Sequence, residues 1–109
     1  MVDELAQGQI WLADLPPPIH RRPVLVLTRT HALPHLTKVC IATISRNIRG
    51  TDTEVVLSPS DGVAQRCAVS LDNILTLPQD TLVRYITELS AGRMNEVFEA
   101  IHRAFDLPY

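Results

Sequence analysis

The stretch Arg21-Arg22-Pro23-Val24-Leu25-Val26-Leu27-Thr28 joins two adjacent cations to an uninterrupted apolar run through a proline. Proline has no backbone N–H, so it suits the first residue of a strand, and it drives the preceding residue toward extended geometry. We therefore predict a buried strand over residues 24–28, opened by Pro23, with Arg22 held at its edge. A cation fixed on a rigid element suits an anionic substrate, although a solvated arginine pair beside a core strand explains the same pattern.

The size and composition of the chain are those of a small globular protein. It has 109 residues, of which 46% are apolar and 20% are charged, and this predicts a single domain over residues 1–109. No run approaches the roughly 18 apolar residues that cross a bilayer. Residues 1–8 contain Asp3 and Glu4 but no basic or apolar region of a signal peptide. We therefore expect a cytoplasmic protein without a membrane partner.

The cysteines and histidines do not suggest a metal or disulfide framework. Cys40 and Cys67 each lie in an apolar segment, which favours buried, reduced thiols. His31 and His35 are separated by Pro34, which argues against one helix carrying both imidazoles. The sequence predicts no metal site and no cofactor.

The charges are distributed unevenly along the chain. The net charge is −2, which does not suggest a general nucleic-acid binder. Residues 1–49 nevertheless hold six of the ten cations and only three of the twelve acids. This asymmetry predicts a local basic groove on a mildly acidic body.

Short β-branched or alternating segments separated by turn residues predict five or six strands. Apart from residues 24–28, they are residues 8–15, 38–44, 53–57, 65–75 and 82–87. In the first strand, Ile10 and Leu12 are predicted on one face and Trp11 and Ala13 on the other. The third strand is apolar enough to be buried on both faces. In the fifth strand, Leu71 and Ile74 are predicted on opposite faces.

The remaining segments give connections and a helix. Pro16-Pro17-Pro18 predicts a stiff extended loop, and residues 29–37 predict a connection with one helical turn. Ser90 is a suitable N-cap. After it, apolar residues at helical spacing predict a packed stripe of Met94, Val97, Phe98, Ile101 and Phe105. Strands followed by one amphipathic helix predict a strongly curved sheet or partly open barrel, with the helix covering one side.

Basic and hydroxyl side chains cluster at predicted strand ends. His20, Arg21 and Arg22 precede the second strand, and Ser45 follows the third, together with Arg46, Asn47 and Arg49. If these two strands are antiparallel neighbours, Arg22 and Ser45 meet at one edge. A guanidinium fork with a hydroxyl matches the oxygens of a phosphate.

A phosphate site built on arginine suits RNA cleavage by the RNA's own 2′-hydroxyl. The substrate supplies the nucleophile, and the protein aligns it and stabilises negative charge on phosphorus. Arginine has too high a pKa for easy proton transfer. By its position, His20 is a candidate proton carrier, although a loop histidine without a role is the simpler interpretation. No Gly-rich phosphate loop or nucleophile elbow is present.

Several fragments, taken in order, resemble the MazF/PemK family of toxin endoribonucleases. The resemblance covers nearly the whole chain and rests on Gly8-x-Ile10-Trp11-x-x-x-Leu15, Arg22-Pro23-Val24-Leu25-Val26-Leu27, Ala42-Thr43-Ile44-Ser45, Arg49-Gly50-x-x-x-Glu54-Val55-Val56-Leu57 and Leu71-Asp72-Asn73-Ile74. It implies a mainly β fold with a C-terminal helix, an SH3-like small barrel of the CcdB/MazF type, and a homodimer. It also implies metal-independent, sequence-selective cleavage of single-stranded RNA to a 2′,3′-cyclic phosphate and a 5′-hydroxyl. The implied partner is an antitoxin whose disordered C-terminal segment covers the RNA groove.

The resemblance assigns roles residue by residue. Arg22 takes the family's catalytic arginine position, and Ser45 falls where the family usually has threonine. The candidate RNA-binding residues come from the polar clusters at the strand ends and from the fragment at residues 71–74; they are His20, Arg21, Arg46, Asn47, Arg49 and Asp72. The loop after the first strand is shorter and richer in proline than is usual in the family, so the RNA sequence preference does not carry over. For Trp11, a core or interface role is favoured over base stacking.

Two other functions are compatible with the same barrel. One is a toxin that binds DNA gyrase and cleaves nothing, and the other is a catalytically dead module that binds RNA or antitoxin. A gyrase-binding toxin does not need an arginine beside a hydroxyl at a strand edge. Cleavage with and without Arg22 separates the enzyme from both alternatives.

Overall fold

The computed structural model describes residues 4–108. Six strands and one α-helix follow each other in the predicted order: β1 Gln9–Asp14, β2 Arg21–Val26, β3 Lys38–Ser45, β4 Glu54–Leu57, β5 Cys67–Pro78, β6 Leu82–Glu88 and α1 Ala91–Phe105. Short 3₁₀ turns at Thr30–His35, Pro59–Asp61 and Gln79–Thr81 connect them. The first of these confirms the helical turn predicted between the second and third strands.

The strands form one antiparallel sheet in the order β4-β5-β3-β2-β1-β6. An irregularity in the β3–β5 pairing bends it, because Ala42 lies opposite Ile74 whereas the next residue, Thr43, lies opposite Ser70. Extra residues in one strand increase local twist and turn side chains to a different face. Ile74 consequently packs against the cluster that contains Leu71, so its predicted place on the opposite face was wrong.

Two apolar clusters stabilise the sheet, one on each face. Ile10 joins the cluster under α1, whereas Trp11 and Ala13 join the second cluster, which confirms the predicted alternation in β1. In β3, Ala42 and Ile44 belong to the first cluster, and Val39 and Ile41 belong to the second. Burial of β3 on both faces is therefore also confirmed.

Strand β2 begins earlier than predicted. Arg21 is its first residue and Pro23 its third, so the prediction that Pro23 opens the strand was wrong. Arg21 to Pro23 pair with β1, but the ladder with β3 begins only at Val24, opposite Thr43. Proline has no N–H to donate to a ladder. The beginning of β2 thus lies apart from the end of β3, and a wedge opens between them.

The prolines between β1 and β2 form a closed turn instead of the predicted extended loop. The amide of Leu15 donates to the carbonyl of His20 at 2.8 Å, and the amide of Ile19 donates to that of Pro16 at 3.1 Å. The Pro17–Pro18 peptide bond is cis, and His20 has a positive φ of 60°. The turn ends at His20, and Arg21 follows it directly as the first residue of β2.

Helix α1 begins as predicted but packs on a slightly different face. The hydroxyl of Ser90 accepts a hydrogen bond from the amide of Arg93, as an N-cap does. Met94, Val97 and Ala100 are buried, but Phe98 and Phe105 are 38% and 58% exposed. The helix packs through the side that carries Ala100, so the predicted packing of Phe98 and Phe105 was wrong. No helix within residues 4–108 is long and apolar enough to cross a membrane.

Both cysteines are free thiols, as predicted. Cys67 is buried and Cys40 is half-buried. Burial raises the pKa of each thiol above its ordinary value. Neither is therefore a thiolate at neutral pH.

Candidate functional site

A groove of about 480 Å³ opens where β2 begins and β3 ends. It is lined by Leu12, Arg21, Arg22, Pro23, Ile44, Ser45, Arg46, Val63, Ala64, Gln65, Cys67, Arg84 and Ile86. Among the described residues that line it, about half are apolar, and the charged ones are four arginines with no carboxylate. A cationic groove of this kind attracts a polyanion.

The strand register explains how Arg22 and Ser45 come together. Val24 lies opposite Thr43, and continuing this antiparallel register brings Arg22 opposite Ser45. Both residues line the groove, so the prediction that β2 and β3 are antiparallel neighbours with these two residues at one edge is confirmed. The wedge left by the short β2–β3 ladder provides the space between them.

Arg21 continues the same arrangement. It lies in the next place along β2 and also lines the groove, as does Arg46. The Nε of Arg21 is 3.8 Å from Oδ1 of Asp14, with both side chains more than half exposed. Exposed pairs of this length contribute little energy, so Arg21 is available to another anion.

The hydroxyl of Ser45 has a structural role in addition to its place in the groove. Its Oγ accepts a hydrogen bond from the amide of Asn47 at 3.0 Å. A hydroxyl that accepts one bond can still donate its own hydrogen. Ser45 therefore holds the turn after β3 and keeps a donor for a phosphate oxygen.

Sequence reasoning missed two polar residues of the groove. Arg84 reaches it because β6 pairs with β1 and Arg84 lies opposite Leu12. Gln65 reaches it from the loop before β5, where its Oε1 accepts a hydrogen bond from Nη1 of Arg46 at 3.0 Å. Both depend on pairings between distant parts of the chain, which no local motif signals.

Two candidate residues close to the groove do not line it. The carbonyl of His20 closes the proline turn, and its imidazole is not part of the groove surface. Asn47 contributes its backbone amide to Ser45, and its side chain also lies outside the lining. Their roles in RNA binding stay predictions.

Arg49 and Asp72 belong to the neighbouring turn instead. The carboxylate of Glu54 accepts from the amides of Arg49 at 3.1 Å and Gly50 at 2.9 Å. Oδ2 of Asp72 accepts from the hydroxyl of Thr53 at 2.5 Å. These contacts order the turn between β3 and β4, and RNA binding by Arg49 and Asp72 stays a prediction.

The wall segment, residues 58–66, carries Gln65 and is attached to helix α1 by an ion pair. Asp61 accepts hydrogen bonds from Arg93 Nε at 2.9 Å and Nη2 at 3.1 Å. These bonds from Arg93 hold the pKa of the Asp61 carboxyl below its usual value; burial opposes the shift, and the amide of Ser58 adds to it. The pair links the wall segment to α1.

The Asp61–Arg93 pair predicts a pH-dependent stability difference. Arg93→Gln is expected to lower the free energy of unfolding by about 1.5–3 kcal/mol at pH 7, as for a hydrogen bond to a charged group. Because the folded-state pKa of Asp61 is depressed, this stabilisation is complete above the unfolded pKa of about 4. It is lost as pH falls through the lower folded pKa. Urea unfolding at pH 7 and about pH 2.5 measures the difference.

The exposed Arg66 in the wall segment provides the matched control. Arg66→Gln should change the free energy of unfolding by less than about 0.5 kcal/mol at either pH. An Arg93→Gln deficit of equal size at both pH values would contradict the assigned ion pair.

A curved antiparallel sheet with one helix and an arginine-lined groove defines a small β-barrel protein suited to a polyanionic ligand. Residues 6–105 match the family described as PemK-like, MazF-like toxin of type II toxin–antitoxin system. The chain belongs to this family of toxins, as the sequence resemblance predicted.

Named relatives and solved structures agree with this membership. Endoribonuclease MazF3 of Mycobacterium tuberculosis is 44% identical over 88 residues, covering 81% of this chain and 85% of the relative. The structure of Mycobacterium tuberculosis toxin MazF-mt6 has a TM-score of 0.85 and 42% identity, covering 93% of this chain and 99% of that one. The predicted SH3-like fold of the CcdB/MazF type is confirmed.

A third similar structure is of an endoribonuclease in complex with its cognate antitoxin, from a mycobacterial species. Its TM-score is 0.86 with 28% identity, and the match covers 96% of this chain and 98% of that one. The relatives named as endoribonucleases favour the enzymatic interpretation over the gyrase-binding alternative.

Proposed function

We propose that this protein is a toxin endoribonuclease that cleaves single-stranded RNA at selected sequences. The observation that carries the proposal is the convergence of Arg22 and Ser45 in an arginine-lined groove. In the reaction, the RNA 2′-oxygen forms a bond to phosphorus and loses its proton. The bond from phosphorus to the 5′-oxygen breaks, and that oxygen takes a proton. The products are a 2′,3′-cyclic phosphate and a 5′-hydroxyl.

The groove residues supply charge stabilisation and alignment. Arg22 donates to the nonbridging oxygens of the attacked phosphate, where negative charge increases in the transition state. Ser45 donates its hydroxyl to the same phosphate. Arg21 and Arg84 hold the neighbouring phosphates and keep the 2′-oxygen in line for attack. The guanidinium charges allow this step to proceed without a metal ion.

The proposal extends to partners and location. A cognate antitoxin would cover the groove with a disordered C-terminal segment and so exclude RNA. The toxin would act as a homodimer in the cytoplasm. The complexed mycobacterial relative supports an antitoxin partner for this fold.

The proposed function is tested with a mixed-sequence single-stranded RNA in the presence of EDTA. We expect cleavage at a limited set of sequences. End labelling should find 5′-hydroxyl termini and cyclic phosphates. If folded wild-type protein cleaves none of several RNAs, the endoribonuclease proposal is wrong, and a protein target such as gyrase becomes the alternative.

Ser45 is expected to affect turnover through its hydroxyl. Ser45→Ala should lower kcat by about 10- to 100-fold, the equivalent of one hydrogen bond to a charged group, whereas Ser45→Thr should stay within about threefold because the donor is kept. Steady-state cleavage of one short RNA measures kcat and KM separately. Thr76→Ala removes an exposed hydroxyl outside the groove lining and is the control. Equal activity of the alanine and threonine variants would contradict this role.

A further inference from the structure

We infer that Gln65 selects one base of the bound RNA, an inference that rests on the proposed function. Arg21, Arg22 and Arg84 are assigned to phosphates, and contacts with phosphates carry no sequence information. Only two lining residues within the described chain have uncharged polar side chains that offer hydrogen bonds of another kind, Ser45 and Gln65. The Ser45 hydroxyl already holds Asn47 and is assigned to the attacked phosphate. Gln65 is therefore the groove side chain suited to a base edge.

The wall segment holds Gln65 on a rigid support. Gly62 has a φ of +98°, and a Cβ at this position would lie 2.3 Å from Oγ1 of Thr87. The backbone thus contacts β6 closely, while Asp61 is joined to Arg93 by two hydrogen bonds. A side chain that recognises a base needs a backbone held in a fixed position, because the position of its hydrogen-bonding groups decides which base edge it can bind.

Arg46 determines which hydrogen-bonding group Gln65 presents. Nη1 of Arg46 donates to Oε1 of Gln65 at 3.0 Å, so the amide oxygen is engaged and Nε2 is left to donate. Arg46 keeps further N–H groups beside it. Nε2 of Gln65 and the remaining N–H groups of Arg46 are therefore adjacent donors.

A surface of adjacent donors matches bases that have two adjacent acceptors. Guanine presents N7 and O6, and cytosine presents N3 and O2. On adenine and uracil, donors and acceptors alternate along the edge, so one contact would be lost. Single-stranded RNA exposes all of these edges. Gln65 is therefore expected to favour guanine or cytosine at one position of the cleavage sequence.

The test uses a randomised single-stranded RNA pool and sequencing of the cleaved ends. Gln65→Glu replaces the donating amide by an acceptor, and Gln65→Ala removes the group. Each should reduce the preference for guanine or cytosine at one position by about tenfold, the size of one lost base contact, with the other positions unchanged. Asn95→Asp makes the matched amide-to-carboxylate change at an exposed helix position outside the groove and should retain the wild-type preference.

The outcomes separate this inference from the proposed function. If the wild type and Asn95→Asp cleave and both folded Gln65 variants keep the full preference, the inference is wrong and the proposed function stands. A uniform loss of rate at all sequences also overturns it, because that result indicates a backbone contact or a displaced wall segment. If the wild type cleaves no RNA, the proposed function fails and the inference fails with it.

Discussion

Arg22→Ala is expected to reduce RNA cleavage by at least about 100- to 1,000-fold, as when a transition-state donor to a developing oxyanion is removed. The side chain lies exposed at the beginning of β2, opposite Ser45 in the strand register. It faces a groove without a carboxylate partner among its lining residues. Because an exposed cation adds little to stability, the free energy of unfolding should change by less than about 0.5 kcal/mol.

Two further variants separate the chemistry of Arg22 from its charge. Arg22→Lys keeps the charge but loses the planar fork, so we expect activity between that of the wild type and the alanine variant. Arg29→Ala removes an exposed arginine outside the groove lining and should retain wild-type cleavage. Single-turnover cleavage and urea unfolding measure both properties. A folded Arg22→Ala protein that cleaves within a few-fold of wild type would remove Arg22 from the mechanism.

Gly62→Ala is expected to lower the free energy of unfolding by about 3 kcal/mol, from a combined steric and backbone cost. The new Cβ would lie 2.3 Å from Oγ1 and 2.8 Å from Cβ of Thr87. Rotation of the threonine side chain does not move its Cβ. The φ of +98° adds strain that glycine avoids. Chemical unfolding measures the loss, and the displaced wall segment should also reduce cleavage.

Gly50→Ala provides the comparison with backbone strain alone. Gly50 has a φ of +78°, but no atom of residues 4–108 lies within 4 Å of the added Cβ, so its cost should be about 1 kcal/mol. The difference between the two alanine variants isolates the contact with Thr87. Equal losses at the two positions would show that the wall segment adjusts freely to the added methyl group.

Local patterns predicted most of the fold because each depends on neighbouring residues. Short segments were enough to predict that Ile10 and Trp11 lie on opposite faces and that Ser90 caps the helix. The failures involve longer-range geometry. Ile74 changed face at an irregularity in the β3–β5 pairing, and Phe98 turned outward where the helix sits close to the sheet on Ala100.

The candidate site was predictable to a similar extent. The Arg22–Ser45 pair followed from antiparallel neighbours that are consecutive in the chain, apart from the turn between them. Arg84 and Gln65 were missed, because one depends on the β1–β6 pairing and the other on a returning loop. Strand order across a sheet is set by the whole core, so local motifs do not reveal it.

The early end of the β2–β3 ladder has a consequence for control of the toxin. The space between the strand ends comes from the backbone pairing itself, with Pro23 making no ladder contact to β3. The opening is thus part of the strand pairing itself. A groove of this kind is blocked when another chain occupies it. Under the proposed function, the cell would therefore set toxicity by molecular titration, with a threshold where toxin copies outnumber antitoxin copies.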